Sequence, residues 1–139
     1  MVDAQEFNRW RGEADRALEL AQVATREELY GWTCFAAEQA AQLAVKGLLH
    51  GLGRGPWGHD LVALTEMVRD AGIDVPQEVA DRLAEPSQFY IAPRYPDAHP
   101  SGGAGEHYTA TQAARANELA SGVLAWIDEQ WELARAQGA

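Results

Sequence analysis

Basic residues are scarce in this sequence: its 139 residues hold 11 Lys and Arg against 21 Asp and Glu, a formal net charge of -10. Affinity built from many phosphate contacts rests on accumulated Lys and Arg, so a broad basic nucleic-acid surface is excluded. Any anionic ligand must be held locally. The acidity reads as solvated helix surface that keeps the chain soluble, with a basic partner protein as the alternative. Cysteine is almost absent. Cys34 alone cannot form an internal disulfide, and its setting in Trp32-Thr33-Cys34-Phe35-Ala36 reads as packing on a buried helix face. No stretch approaches the ~20 consecutive apolar residues of a membrane-spanning helix. Met1 to Arg11 carries Asp3, Glu6, Arg9 and Arg11 with no apolar run behind them, unlike a signal peptide. A soluble, cytoplasmic protein with no membrane partner is the expectation. Period-two alternation is also missing, which argues against strands, and there is no internal repeat or low-complexity tract.

What is present is helical periodicity. With 47% hydrophobic residues, the length suits one domain spanning residues 1–139. Phe7, Trp10, Ala14, Ala17, Leu18 and Ala21 form the stripe of a first helix. Thr25-Arg26-Glu27-Glu28 reads as a capping box that opens a second, with Leu29, Trp32, Phe35, Ala36, Ala40, Leu43 and Leu48 on its stripe. The second helix should end in Gly51-Leu52-Gly53-Arg54-Gly55-Pro56-Trp57-Gly58. Asp60 can cap a third helix, which Gly72 ends. Pro76 suits the first turn of a fourth carrying Val79 and Leu83, and Pro86 signals a kink or a new start. After a Gly-rich connection, Thr109 and Gln112 make a second capping box before a long fifth helix through Ala116, Leu119, Ala120, Val123, Leu124, Ile127 and Trp131. The fold class is all-α, an antiparallel four- to five-helix up-and-down bundle.

Short connections place successive loops at alternate ends of such a bundle, so the loops after the second and fourth helices should share an end. They hold His50, His59, His99 and His107, with Arg54, Trp57, Arg94, Tyr95 and Asp97. Donors, a guanidinium and rings gathered together suit a phosphate or a nucleobase. Equally, Arg94 could pair with Asp97 or cap the carbonyls that end the fourth helix. No two histidines show the i, i+4 spacing of a helical metal site, so neither metal nor cofactor is expected. Arg94 and His99, five residues apart, could cleave RNA: the arginine stabilises transition-state charge on phosphate and the histidine moves a proton. Five tryptophans, Trp10, Trp32, Trp57, Trp126 and Trp131, suit either a core or a dimer interface.

Three blocks in order, Phe35-Ala36-Ala37-Glu38-Gln39-Ala40-Ala41-Gln42-Leu43-Ala44-Val45-Lys46-Gly47-Leu48-Leu49, Gly58-His59-Asp60-Leu61 and Tyr90-Ile91-Ala92-Pro93-Arg94-Tyr95-Pro96-Asp97, resemble the HEPN family over nearly the whole chain. The resemblance implies a four- or five-helix bundle, commonly a homodimer and often encoded beside a minimal nucleotidyltransferase. Some members are metal-independent ribonucleases, including toxins of toxin–antitoxin pairs, and others are described as nucleotide-binding. In a nucleotide-binding reading Arg94 contacts phosphate, Lys46 and His59 assist, Asp97 is a further binding residue, and Tyr95 or Trp57 stacks on a base. In a ribonuclease reading Arg94 and His99 are the catalytic pair, doubled across a dimer. Tyr95 and Pro96 inside that motif resemble the Arg-Tyr-Pro-Asp branch instead. Ser101 stands where the toxin branch has a modifiable tyrosine. Binding of a nucleotide or a partner nucleotidyltransferase is the first expectation, ribonuclease activity the alternative, and a non-catalytic interaction domain the third reading.

Overall fold

A computed structural model describes residues 2–138. Its regular elements are α1 (Ala4–Arg26), α2 (Tyr30–Gly51), α3 (Leu61–Asp70), α4 (Gln77–Ala84) and α5 (Ala110–Gly138), with short 3-10 helices at Glu85–Phe89, Pro96–Ala98 and Ala104–His107. No strand occurs among the described residues. No helix among them is long and apolar enough to cross a membrane.

The start of α1 is set by Asp3, whose side chain accepts from the Glu6 N–H at 3.1 Å. Its end corrects the first capping-box expectation. Thr25 lies inside α1 and donates its hydroxyl back to Ala21 O at 2.8 Å. The helix closes instead in a Schellman pattern: Glu28 takes φ +59°, while Leu29 N–H bonds Ala24 O and Glu28 N–H bonds Thr25 O. Leu29 then precedes α2 without any side-chain cap. The other signals hold. Asp60 accepts from Val62 N–H at 2.9 Å to open α3, and Gly72 follows it at φ +93°. Pro76 immediately precedes α4, and Pro86 lies in the new 3-10 turn. Thr109 and Gln112 cap α5 reciprocally, at 2.9 and 3.2 Å.

α1 and α2 form an antiparallel hairpin. Asp3 N–H meets Gly51 O at one end, and the Thr25 and Thr33 hydroxyls lie 3.1 Å apart at the other. The core cluster centres on α2, where Ala36, Ala37, Ala40, Ala41, Ala44 and Gly47 are all buried and let neighbouring helices come close. Leu48, Leu49, Leu61, Leu64, Leu83 and Ile127 fill the space between them. At the lower end the Phe7 and Trp131 rings stack at 4.4 Å over Gly51. A methyl group there would lie 2.6 Å from a Trp131 ring carbon. Gly51→Ala should therefore destabilise the protein: overpacking of about 1–3 kcal/mol exceeds the helix-propensity gain of about 0.5–1 kcal/mol. Urea denaturation measures this, and a midpoint equal to or above that of the parent refutes it.

α5 runs against α1 and with α2, because Asn117 Nδ2 donates to Thr25 Oγ1 at the upper end while Trp131 packs at the lower one. The two short helices and the 3-10 turns together make the return leg. The loop before α5 therefore sits over the start of α2: a Cβ on Gly31 would approach the Tyr108 ring, Pro93 O and Gly105. The loop after α2 leaves from the opposite end. The four histidines are accordingly not gathered at one end, as the sequence reading expects. His50 stacks on Trp10 at 4.5 Å near the close of α2, about 28 Å along the helix from Gly31.

Candidate functional site

α2 is the most apolar helix of the bundle, yet Phe35, Glu38, Gln42 and Lys46 fall at intervals of three and four on one of its faces. The α2–α3 loop and the segment after Phe89 close over that face. Glu38 has no exposed surface, and Gln42 is 2% exposed. Gln39 Nε2 donates to Glu38 Oε1 at 2.8 Å and Gln42 Nε2 to Glu38 Oε2. Gln42 reaches on to His59: its Nε2 donates to the His59 carbonyl at 3.0 Å, and its Oε1 lies 3.3 Å from Nδ1 of the ring. Hydrogen bonds on both carboxyl oxygens are what a buried carboxylate requires.

The His59 ring stacks on Tyr90, with centroids 5.1 Å apart and planes within 14°. Tyr90 in turn fixes Arg94, whose Nε donates to the Tyr90 carbonyl at 2.7 Å. The Arg94 guanidinium carbon lies 4.4 Å from the Phe35 ring centroid, 4.6 Å from Tyr90 and 5.2 Å from Tyr95. Three ring faces thus hold the cation by cation–π attraction. Among the described residues no carboxylate forms an ion pair with Arg94 or Lys46. Beside this assembly opens a cleft of ≈ 580 Å³ lined by His59, Asp60, Ser87, Gln88, Tyr90, Ile91, Ala92 and Ala98.

The electrostatics follow from burial. Desolvation pushes the Glu38 carboxyl up to about 7, against the opposing pull of the Gln42 and Gln39 hydrogen bonds and the charges of Arg94 and Lys46. Lys46 is lowered by desolvation, partly offset by the Glu38 charge. Cys34 is fully buried, and desolvation raises its thiol to about 11, so it is packing as the sequence reading has it.

Of the expected site residues, the structure brings together Arg94, Tyr95 and His59, with Lys46 two turns of α2 beyond Glu38. Asp97 is exposed in the Pro96–Ala98 turn and makes no ion pair with Arg94. Trp57, 76% exposed, belongs to another depression with Leu49, Arg54, Met67 and Asp70. His99 takes a different neighbourhood from Arg94. Its Nε2 bonds Ala92 O at 2.7 Å, and its ring stacks on His107 at 4.3 Å with Tyr108 edge-on. Among the described residues no hydrogen bond joins it to Arg94. Phe35, Glu38, Gln42 and Tyr90 have no functional role in the sequence reading, which gives Phe35 a place on the apolar stripe and the others a place in the family blocks. The signal that could have found two of them is a carboxylate and an amide at i, i+4 inside the most apolar helix.

Comparison with known proteins agrees with this architecture. The model of the HEPN domain matches residues 7–130. The crystal structure of TT1696 from Thermus thermophilus superposes with a TM-score of 0.85 at 38% identity, covering 88% of this chain and 96% of that one. ST0689, an archaeal HEPN homologue, gives a TM-score of 0.76 at 30% identity, covering 90% and 97%. A HEPN domain protein (tm0613) from Thermotoga maritima gives 0.72 at 25%, covering 89% and 98%. No curated protein shows a significant match. The fold and the family-model match together make this an all-helical HEPN bundle. This chain belongs to the HEPN family.

Proposed function

We propose that this HEPN protein binds a nucleotide in the cleft beside Arg94, without chemistry of its own, as a cytoplasmic homodimer of a single-domain chain. The observation that carries the reading is the state of Arg94: a guanidinium clamped among three rings, its Nε used by Tyr90 O, and its remaining N–H groups in no carboxylate pair among the described residues. Such a cation is preorganised for an incoming phosphate, which it can grip with two parallel hydrogen bonds. His59 and Lys46 supply further donors. Tyr95 and Trp32, 49% and 52% exposed, offer ring faces to a base. The overall charge of -10 restricts the ligand to a small anion held locally. Asp97 has no ligand contact in this reading, and a partner nucleotidyltransferase would be the natural source or user of the bound nucleotide.

Isothermal titration of the purified protein with ATP tests the proposal, alongside incubation with a mixed RNA pool and chelator. Saturable binding with no RNA cleavage is the expected result. Absence of binding refutes it. Metal-independent cleavage that disappears in His99→Ala would replace it with the ribonuclease reading based on Arg94 and His99.

A further inference from the structure

Glu38 is the one carboxylate without exposed surface among the described residues, and the nucleotide reading gives it no task. The charged or titratable groups around it are Lys46 on its own helix, Arg94 and Tyr90 on the segment packed over it, and His59 on the α2–α3 loop. Arg94 and Lys46 act on Glu38 through space without an ion pair, so a phosphate that engages Arg94 competes for a charge that Glu38 feels. Gln42 links Glu38 to the cleft wall: its Nε2 donates to both Glu38 and the His59 carbonyl, and its Oε1 meets the His59 ring.

We propose that Glu38 is a proton-accepting positioning residue of the nucleotide site, taking up a proton from solvent when a phosphate engages Arg94. This rests on the nucleotide-binding reading. A phosphate that claims the Arg94 charge leaves a buried carboxylate less compensated and adds negative potential in a region of low dielectric. Neutralising Glu38 relieves both effects. One carboxyl oxygen gains an H⁺ from the buffer and no other covalent bond changes at that residue. The new O–H requires an acceptor, which the half-buried Gln39 amide supplies by turning over to present its oxygen at Glu38 Oε1, while Gln42 keeps its bonds to Glu38 Oε2 and to the His59 carbonyl. A carboxyl already raised to about 7 by burial is poised for such uptake near neutrality. Binding should strengthen as the pH falls from about 8.5 to about 6.5, the window in which the bound and free states of the group differ in protonation.

The test is titration calorimetry of the full chain with ATP in buffers of different ionisation enthalpy, comparing the parent with Glu38→Gln. The slope of apparent enthalpy against buffer enthalpy counts protons. At roughly pH 7.5 the parent should take up about half a proton more than the variant, if binding raises the group by about one unit. Equal proton counts in the two proteins, with ATP bound by both, overturn the role of Glu38 and leave nucleotide binding intact. No ATP binding by the parent overturns both. Should Glu38→Gln fail to fold, the parent alone decides: uptake must pass through a maximum near roughly pH 7.5 and decline by roughly pH 9.5, where both states of Glu38 are ionised and Lys46 can still gain a proton. Uptake without that maximum contradicts the assignment.

Discussion

Replacing Arg94 with alanine is expected to weaken ATP binding by roughly 10- to 150-fold, the equivalent of a charge-assisted hydrogen bond of about 1.5–3 kcal/mol. The guanidinium lies between 4.4 and 5.2 Å from three ring centroids, with one nitrogen committed to Tyr90 O. Its planar shape uses the rings as walls, and the free edge supplies a donor pair. Arg94→Lys should recover little of the loss, because an ammonium on a flexible stem can neither stack on Phe35 nor present a fork. Calorimetry on both variants measures the effect, with urea denaturation to show that the bundle persists. Affinity unchanged in Arg94→Ala would remove Arg94 from the site.

The second large effect is on stability against pH. The Glu38 carboxyl stands near 4.5 when unburied and is raised to about 7 in the folded chain, chiefly by desolvation. A folded-state value above the unfolded one means that the folded protein binds the proton more tightly. The contribution is therefore fully present below pH 4.5 and is lost as the pH rises through about 7. At pH 8 the loss is on the order of 3 kcal/mol, from about 1.4 kcal/mol per unit of difference. Self-repulsion among the 21 acidic residues slopes the same way, so the contrast with Glu38→Gln isolates the buried group. Urea midpoints should fall between pH 5 and 8 in the parent and fall distinctly less in Glu38→Gln. Parallel profiles would mean that Glu38 ionises as an exposed carboxylate does.

These two residues differ in how far the sequence reveals them. Arg94 stands out because a guanidinium among Tyr90, Tyr95 and Pro96 follows a helical pattern in an acidic chain, and the motif resembles one carried by the HEPN family. Glu38 sits in the same quoted block as Gln42 and passes as ordinary helix composition. Nothing local distinguishes a glutamate that will face solvent from one that will be roofed by the segment after Phe89. That roof comes from residues more than fifty positions away.

The histidines show the same boundary. Counting helices as equal legs assigns all four to one end, and the count fails because α3 and α4 are too short to be separate legs. Their combined length makes one return path, so the α5 entry lies over Gly31 while α2 closes beside Trp10. His99 and His107 then pair with each other, and His59 turns back to Gln42 and Tyr90.

The local choices are legible along the chain. Apolar spacing of three and four, Asp60, Gly72, Pro86 and the Thr109–Gln112 pair act within a turn or two of where they stand, and they set the all-helical class and most helix ends. Even the one misplaced cap, Thr25, has a tertiary cause in part, since its hydroxyl also meets Thr33 and Asn117 from other helices. Only the tertiary structure decided which polar residues meet. Burial of Glu38, the clamp on Arg94 and the direction of α5 depend on how helices of unequal length fill one core. That is a property of the packing of the whole chain, and no window along it contains the answer.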